Sequence, residues 1–95
     1  MKGARRFKDR LKRDLKDPEF RKAFEEEEVY ATVAIQIAKM REKEDLTQKE
    51  LAKRLHTTQQ TVSRLEETQN RSYSLKTLIK VARVCHKKIK IEFVG

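Results

Sequence analysis

Ninety-five residues suit one compact domain with an arm at one end, and at this size the buried fraction is modest, so a partner or a second copy can contribute to stability. Hydrophobic residues at 37% against charged residues at 41%, with no tryptophan, exclude a membrane protein and favour a helical chain with a small core. The net charge of +9 is uneven: residues 1–24 carry +6, residues 25–50 carry −4 and residues 51–95 carry +7, so the C-terminal half favours a polyanion such as nucleic acid.

In chain order, residues 5–16 (RRFKDRLKRDLK) space Phe7, Leu11 and Leu15 four apart, a narrow apolar stripe on a basic helix. A helix of this length is marginal in water unless it docks on something. Asp17-Pro18 closes it and opens the next, because proline disfavours helical geometry at Asp17 and fits the first helical position itself. A helical pattern then runs from Glu19 to about Glu44, with Phe20 and Phe24 at i,i+4 followed by Tyr30, Ala34, Ile37 and Met40. Within it Glu25–Glu28 places four like charges in a row, which read either as a solvated helical turn that repels itself slightly or as an acidic patch for a basic partner, and whether the helix breaks here is left open by the sequence.

Thr47 and Glu50 form a capping-box signal, and a short helix with Leu51, Ala52 and Leu55 inward follows. His56-Thr57-Thr58 is a turn, Thr58 caps a second short helix from Gln59 to about Glu67, and residues 68–74 form a loop. Leu75, Leu78, Ile79, Ala82 and Cys85 make the inner stripe of a final helix. The end of the chain changes period: Ile89, Ile91 and Phe93 alternate with Lys88, Lys90 and Glu92, the pattern of a half-buried strand. A lone strand leaves its backbone unsatisfied, so the expectation is antiparallel pairing with the same strand of a second copy; the alternative is a tail packed on helices without pairing.

Two short helices joined by His56-Thr57-Thr58 have the proportions of a helix-turn-helix, with Ala52 at the close crossing and Leu51, Leu55, Val62 and Leu65 as shared core. The second helix spends its other face on Gln59, Gln60, Thr61, Ser63 and Arg64, with no acid among them. Glutamine can bond adenine, arginine guanine, and threonine the thymine methyl, so this face suits base edges in a major groove. No catalytic residues are expected: His56 and His86 have no acid spaced to orient them, and Cys85 reads as a small core thiol. No metal-ligand spacing and no glycine-rich phosphate loop occur, so no metal and no cofactor are expected. A single cysteine permits no internal disulfide, and with no apolar leader and no membrane-length apolar run a cytoplasmic protein away from membranes is expected.

The segment TTQQTVSRLE closely resembles the reading segment of lambdoid phage repressors and the wider XRE (Cro/C1-like) family, over roughly residues 37–83. The resemblance implies an all-α, lambda-repressor-like bundle in which Gln59, Gln60 and Arg64 read bases, with Thr61 and Ser63 beside them. It implies phosphate contacts from Gln48, Thr58, Arg71, Ser72, Tyr73 and Lys76, and a structural ion pair between Arg41 and Glu66. His56 departs from the family, which usually has glycine in this turn, and so implies a strained or altered turn.

Taken whole, with LKDPEFRKAFEEE before the helix-turn-helix and SLKTLIKVARVCHKKIKIEF after it, the chain resembles HigA-type antitoxins of toxin–antitoxin modules. That resemblance implies a homodimer that represses its own operon at a palindromic operator and neutralises a HigB (RelE-like) mRNA-cleaving ribonuclease, as a heterotetramer with the toxin. The implied organisation is a toxin-binding helical extension over 1–30, a DNA-binding domain over 31–87 and a dimerisation strand over 88–95 carrying Ile89, Ile91 and Phe93. Phe7, Leu11, Leu15, Phe20, Phe24 and Glu25, Glu26, Glu27 and Glu28 are then the candidate toxin contacts. The alternative class is a stand-alone phage- or plasmid-type repressor whose N-terminal arm packs on its own domain.

Overall fold

A computed structural model describes residues 9–95; Phe7 and the start of the basic arm lie outside the described residues. Residues 9–14 are helical and end in a turn, with Leu11 and Leu15 half-buried. Four further helices follow: α1 (Pro18–Lys43), α2 (Gln48–Arg54), α3 (Gln59–Leu65) and α4 (Leu75–Val84). Asp17 caps α1, accepting the Glu19 amide at 3.0 Å with Pro18 at the first helical position.

Helix α1 runs unbroken for 26 residues, about 39 Å at 1.5 Å per residue, straight through Glu25–Glu28. Glutamate is a good helix former, and Arg21 and Lys22 stand one turn before Glu25 and Glu26, which offsets the local repulsion. Every side chain from Lys16 to Val29 is exposed; burial begins only at Tyr30, and Ala34 and Ile37 are the helix's buried residues. The N-terminal half of α1 therefore projects from the bundle that the C-terminal half helps to build.

That bundle has two joined apolar clusters. Leu46, Leu51, Ala52 and Val62 form one, and Ile37, Leu65 and Val81 the other, with half-buried Leu55 packed against both. Cys85 is fully buried beside them, and burial pushes its thiol up from the ordinary range. On α4 the inner stripe is Val81, Ala82 and Cys85 with half-buried Leu78. Leu75 and Ile79, expected inside, are 56% and 40% exposed. They lie one turn apart on the flank of α4 that faces the C-terminal tail, lining an apolar groove with Ala82, Ile89 and Ile91.

Three helices end alike. Asp45, His56 and His86 have positive φ of 55°, 56° and 58°, just past the ends of α1, α2 and α4. In each case the next residue's amide reaches back to close a Schellman motif: Leu46 to Arg41, Thr57 to Ala52 and Lys87 to Ala82, at 3.2, 2.9 and 2.8 Å. A residue with a Cβ in this left-handed region costs roughly 1–2 kcal/mol. The only glycines are Gly3 and Gly95, so none stands at these caps. His56→Gly should raise stability by about 0.5–1 kcal/mol, the relief being partly offset by glycine's greater freedom when unfolded. Asp45→Gly should gain less, because aspartate tolerates this conformation better. Thermal melts of the two variants check this, and an unchanged or lower midpoint for His56→Gly would count against strain in the turn.

The tail has no strand in this single chain. Among the described residues, no backbone-to-backbone hydrogen bond involves residues 88–95, and the expected alternation leaves Ile91 57%, Phe93 99% and Val94 91% exposed. Lys90 and Glu92 pair at 2.7 Å on one side of the segment.

Candidate nucleic-acid interface

Helix α3 is set by its two apolar side chains. Val62 enters the first cluster and Leu65 the second, so the helix is pinned along its length and its opposite face is turned outward. Gln59, Gln60 and Arg64 are exposed on that face, and Thr61 and Ser63 are half-buried at its edges. Thr58 caps the helix: its Oγ1 accepts the Thr61 amide at 3.1 Å and lies 2.9 Å from the Thr61 hydroxyl. Before it, α2 starts in a full capping box, with Thr47 Oγ1 accepting the Glu50 amide at 3.1 Å and Glu50 accepting the Thr47 amide at 3.0 Å. The Thr47 amide first, and the Thr47 hydroxyl beside it, hold the Glu50 carboxyl below its usual range.

Two acids stand at the far end of α3: Glu67 is exposed beyond the helix, and Glu66, at its C-cap, is turned inward. Arg41 Nε donates to Glu66 Oε2 at 2.7 Å and Arg41 Nη2 to Glu66 Oε1 at 2.9 Å, a bidentate pair with side chains only 13% and 7% exposed. The carboxylate's hydrogen bonds hold the guanidinium above its ordinary range. Arg41 Nη1 also donates to the Leu46 carbonyl at 2.8 Å, and Gln48 Nε2 donates to Glu66 Oε1 at 3.2 Å. Glu66 thus ties α1, the start of α2 and the end of α3 together while its charge is neutralised. Gln48, a candidate phosphate contact, has its side-chain amide in this network.

The loop over 68–74 is ordered by its own side chains. Asn70 Oδ1 accepts the Ser72 amide at 3.0 Å, an Asx turn, and Ser74 caps α4 by accepting the Thr77 amide at 3.1 Å. Tyr73 donates its hydroxyl to the Leu65 carbonyl at 2.8 Å, which fastens the loop to the end of α3. A phenol has one proton to donate, and here it is committed inside the chain. Ser72 and Lys76 are exposed beside it. Thr61, Arg64, Arg71, Ser72, Ser74 and Thr77 line one open polar concavity between α3, the loop and the start of α4. Such a surface, rich in donors and with no acid among these lining residues, can accept phosphate oxygens while the outer face of α3 meets base edges.

Two features of this region escaped the sequence reading. Tyr30 of α1 stacks on Tyr73, with centroids 6.3 Å apart and planes at 18°, and Arg71 lies over Tyr30 with Cζ 4.9 Å from its centroid. Arg71 Nη2 also stands 3.5 Å from Glu27 Oε1. Neither link has a local sequence signal, since each joins residues more than forty positions apart.

The candidate partner face lies along the projecting part of α1. Phe20 and Phe24 stack on each other with centroids 6.4 Å apart and planes at 19°, both more than a third exposed, and Glu25–Glu28 follow them, all exposed. Leu11 and Leu15 lie on the preceding segment rather than on this surface's open face. No described helix is long and apolar enough to cross a membrane.

The family profile described as helix-turn-helix matches residues 37–90, spanning the C-terminal part of α1, all of α2 to α4 and the start of the tail. No curated protein and no solved structure matches the chain.

Proposed function

The chain belongs to the XRE family of helix-turn-helix DNA-binding transcription regulators, and on that premise we propose that it is a HigA-type antitoxin that represses its own operon. In this reading a dimer places Gln59, Gln60, Thr61, Ser63 and Arg64 of each copy in successive major grooves. Gln48, Thr58, Arg71, Ser72 and Lys76 contact the flanking phosphates, while Tyr73 holds the loop in place. The projecting half of α1 binds a basic ribonuclease toxin of the HigB (RelE-like) type.

The observation that carries the reading is the long helix itself. From Pro18 to Val29 none of its side chains is buried, yet it presents a stacked Phe pair followed by four consecutive glutamates. A helical surface with so little of it buried gains most from a partner that covers the aromatic pair and neutralises the acids. Half-buried Leu11 and Leu15 favour the other reading, a stand-alone repressor whose arm folds on itself.

Co-purification of the tagged chain with the product of its neighbouring gene separates the two. The control carries Phe20→Ala and Phe24→Ala with Glu25, Glu26 and Glu28 changed to Gln, leaving Tyr30 in place on Tyr73. Capture of a small basic protein by the native chain, lost in this control while DNA binding persists, is the expected result. Operator binding with no such capture would leave the repressor alone.

Dimerisation is assigned to residues 88–95 with the adjoining groove. Among the described residues their backbone pairs with no other backbone, their alternate residues Ile89, Ile91 and Phe93 are apolar and exposed, and Leu75 and Ile79 extend the same apolar surface. Antiparallel pairing with a second copy would satisfy the backbone and cover these side chains together. Ile91→Asp should shift the protein to monomer in sedimentation and weaken operator binding with it; an unaltered dimer would remove the tail from the interface.

A further inference from the structure

Arg71 does not stand free for DNA. Its guanidinium lies over the Tyr30 ring at 4.9 Å, with Nη2 3.5 Å from Glu27 Oε1, while Nη1 donates to the Thr68 and Asn70 carbonyls at 3.2 and 3.3 Å. The Tyr30–Tyr73 stack and the Tyr73-to-Leu65 bond place this group beside the end of α3. Two of its ties are built into the loop and would survive DNA binding. The ion pair with Glu27 joins side chains that are 41% and 69% exposed, and an exposed pair of this kind holds weakly. A phosphate is a stronger and better-shaped acceptor for a guanidinium than one carboxylate oxygen at 3.5 Å.

We propose that Glu27 is an intramolecular competitor for the DNA phosphate at Arg71, so that the projecting part of α1 restrains DNA binding until Glu27 is otherwise engaged. The inference rests on the DNA-binding reading above, in which Arg71 contacts the backbone. It fixes the sign of coupling between the two surfaces. A basic protein surface that takes Glu27 releases Arg71, so partner and DNA strengthen each other by the same factor. The stacked tyrosines keep Arg71 at the end of α3 in both states, so the switch needs only a side-chain exchange.

The test uses the full chain and a mixed-sequence DNA duplex of about 30 base pairs, titrated over a series of salt concentrations. Glu27→Gln is compared with Glu25→Gln, which removes the same charge from the same helix, each alone and combined with Arg71→Ala. Glu27→Gln should tighten binding about two- to fivefold, and by more than Glu25→Gln does. With Arg71→Ala present, the two substitutions should become equivalent. Equal effects in the native background, or an excess that persists without Arg71, would overturn the competition. Loss of affinity on Arg71→Ala with no Glu27 excess would remove the competition alone. An Arg71→Ala variant that binds as tightly as the native chain would remove the phosphate contact as well.

Discussion

Glu66→Ala should cost about 2–4 kcal/mol of stability, the largest loss expected from any single polar side chain in this protein. The carboxylate accepts from Arg41 twice, at 2.7 and 2.9 Å, and from Gln48 at 3.2 Å, in a site almost closed to water. Its removal leaves the guanidinium with one hydrogen-bond acceptor, the Leu46 carbonyl, and only the exposed Glu42 carboxylate 3.8 Å away as counter-charge. Leaving a buried charge unpaired is costlier than never having built the pair. For a chain of this size, total stability is on the order of 5–14 kcal/mol, so the loss is a large share. Arg41→Met combined with Glu66→Leu should recover much of it, because two apolar side chains of similar volume carry no desolvation penalty. Urea denaturation of the three proteins decides: a Glu66→Ala loss under about 1 kcal/mol would make the pair an ordinary surface contact. The functional consequence follows from position, since Glu66 sits at the C-terminal cap of α3 and anchors the reading helix to α1.

Gln59→Ala should weaken operator binding by about 1–3 kcal/mol per half-site and relax the preference at one base pair in each. Gln59 is exposed at the first position of α3, where a helix entering the major groove makes its base contacts, and it contributes to neither apolar cluster. Stability should therefore be unchanged, which distinguishes a reading residue from a structural one. Lys76→Ala is the matched contrast: an exposed cation on the first turn of α4, expected to weaken all sequences alike and to flatten the salt dependence by about one unit. If Gln59→Ala leaves sequence preference untouched, the reading face has been assigned to the wrong residues.

Local signals carried most of the helix-turn-helix. Thr47 with Glu50 and Thr58 announce their helices because capping is a short-range hydrogen-bond pattern, and the structure has those bonds where the residue types place them. Leu51, Ala52, Val62 and Leu65 are buried because the sequence leaves α2 and α3 almost no other apolar surface to pack. Glu25–Glu28 left open whether the helix breaks; it is a solvated helical turn, since intrinsic helix propensity and the bases one turn earlier outweigh repulsion between neighbours. Leu75 and Ile79 misled. Their spacing matches the α4 stripe, but a stripe records only which side chains share a face, not whether this chain or another covers them. The tail poses the same difficulty: alternation over residues 88–93 is a strand pattern, but a pattern supplies no pairing partner, and these residues form no strand in the single chain. Glu27, Tyr30, Arg71 and Tyr73 meet only through the fold, where no periodicity reaches.

Selection of bound sequences from a random pool of duplex DNA by the full-length protein tests the central claim most directly. A dimer reading through α3 predicts two inverted half-sites with centres about one helical turn apart. It also predicts that Gln59→Ala blurs one position symmetrically in both halves. Recovery of a single half-site, or of no preferred sequence at salt concentrations where binding persists, would contradict it.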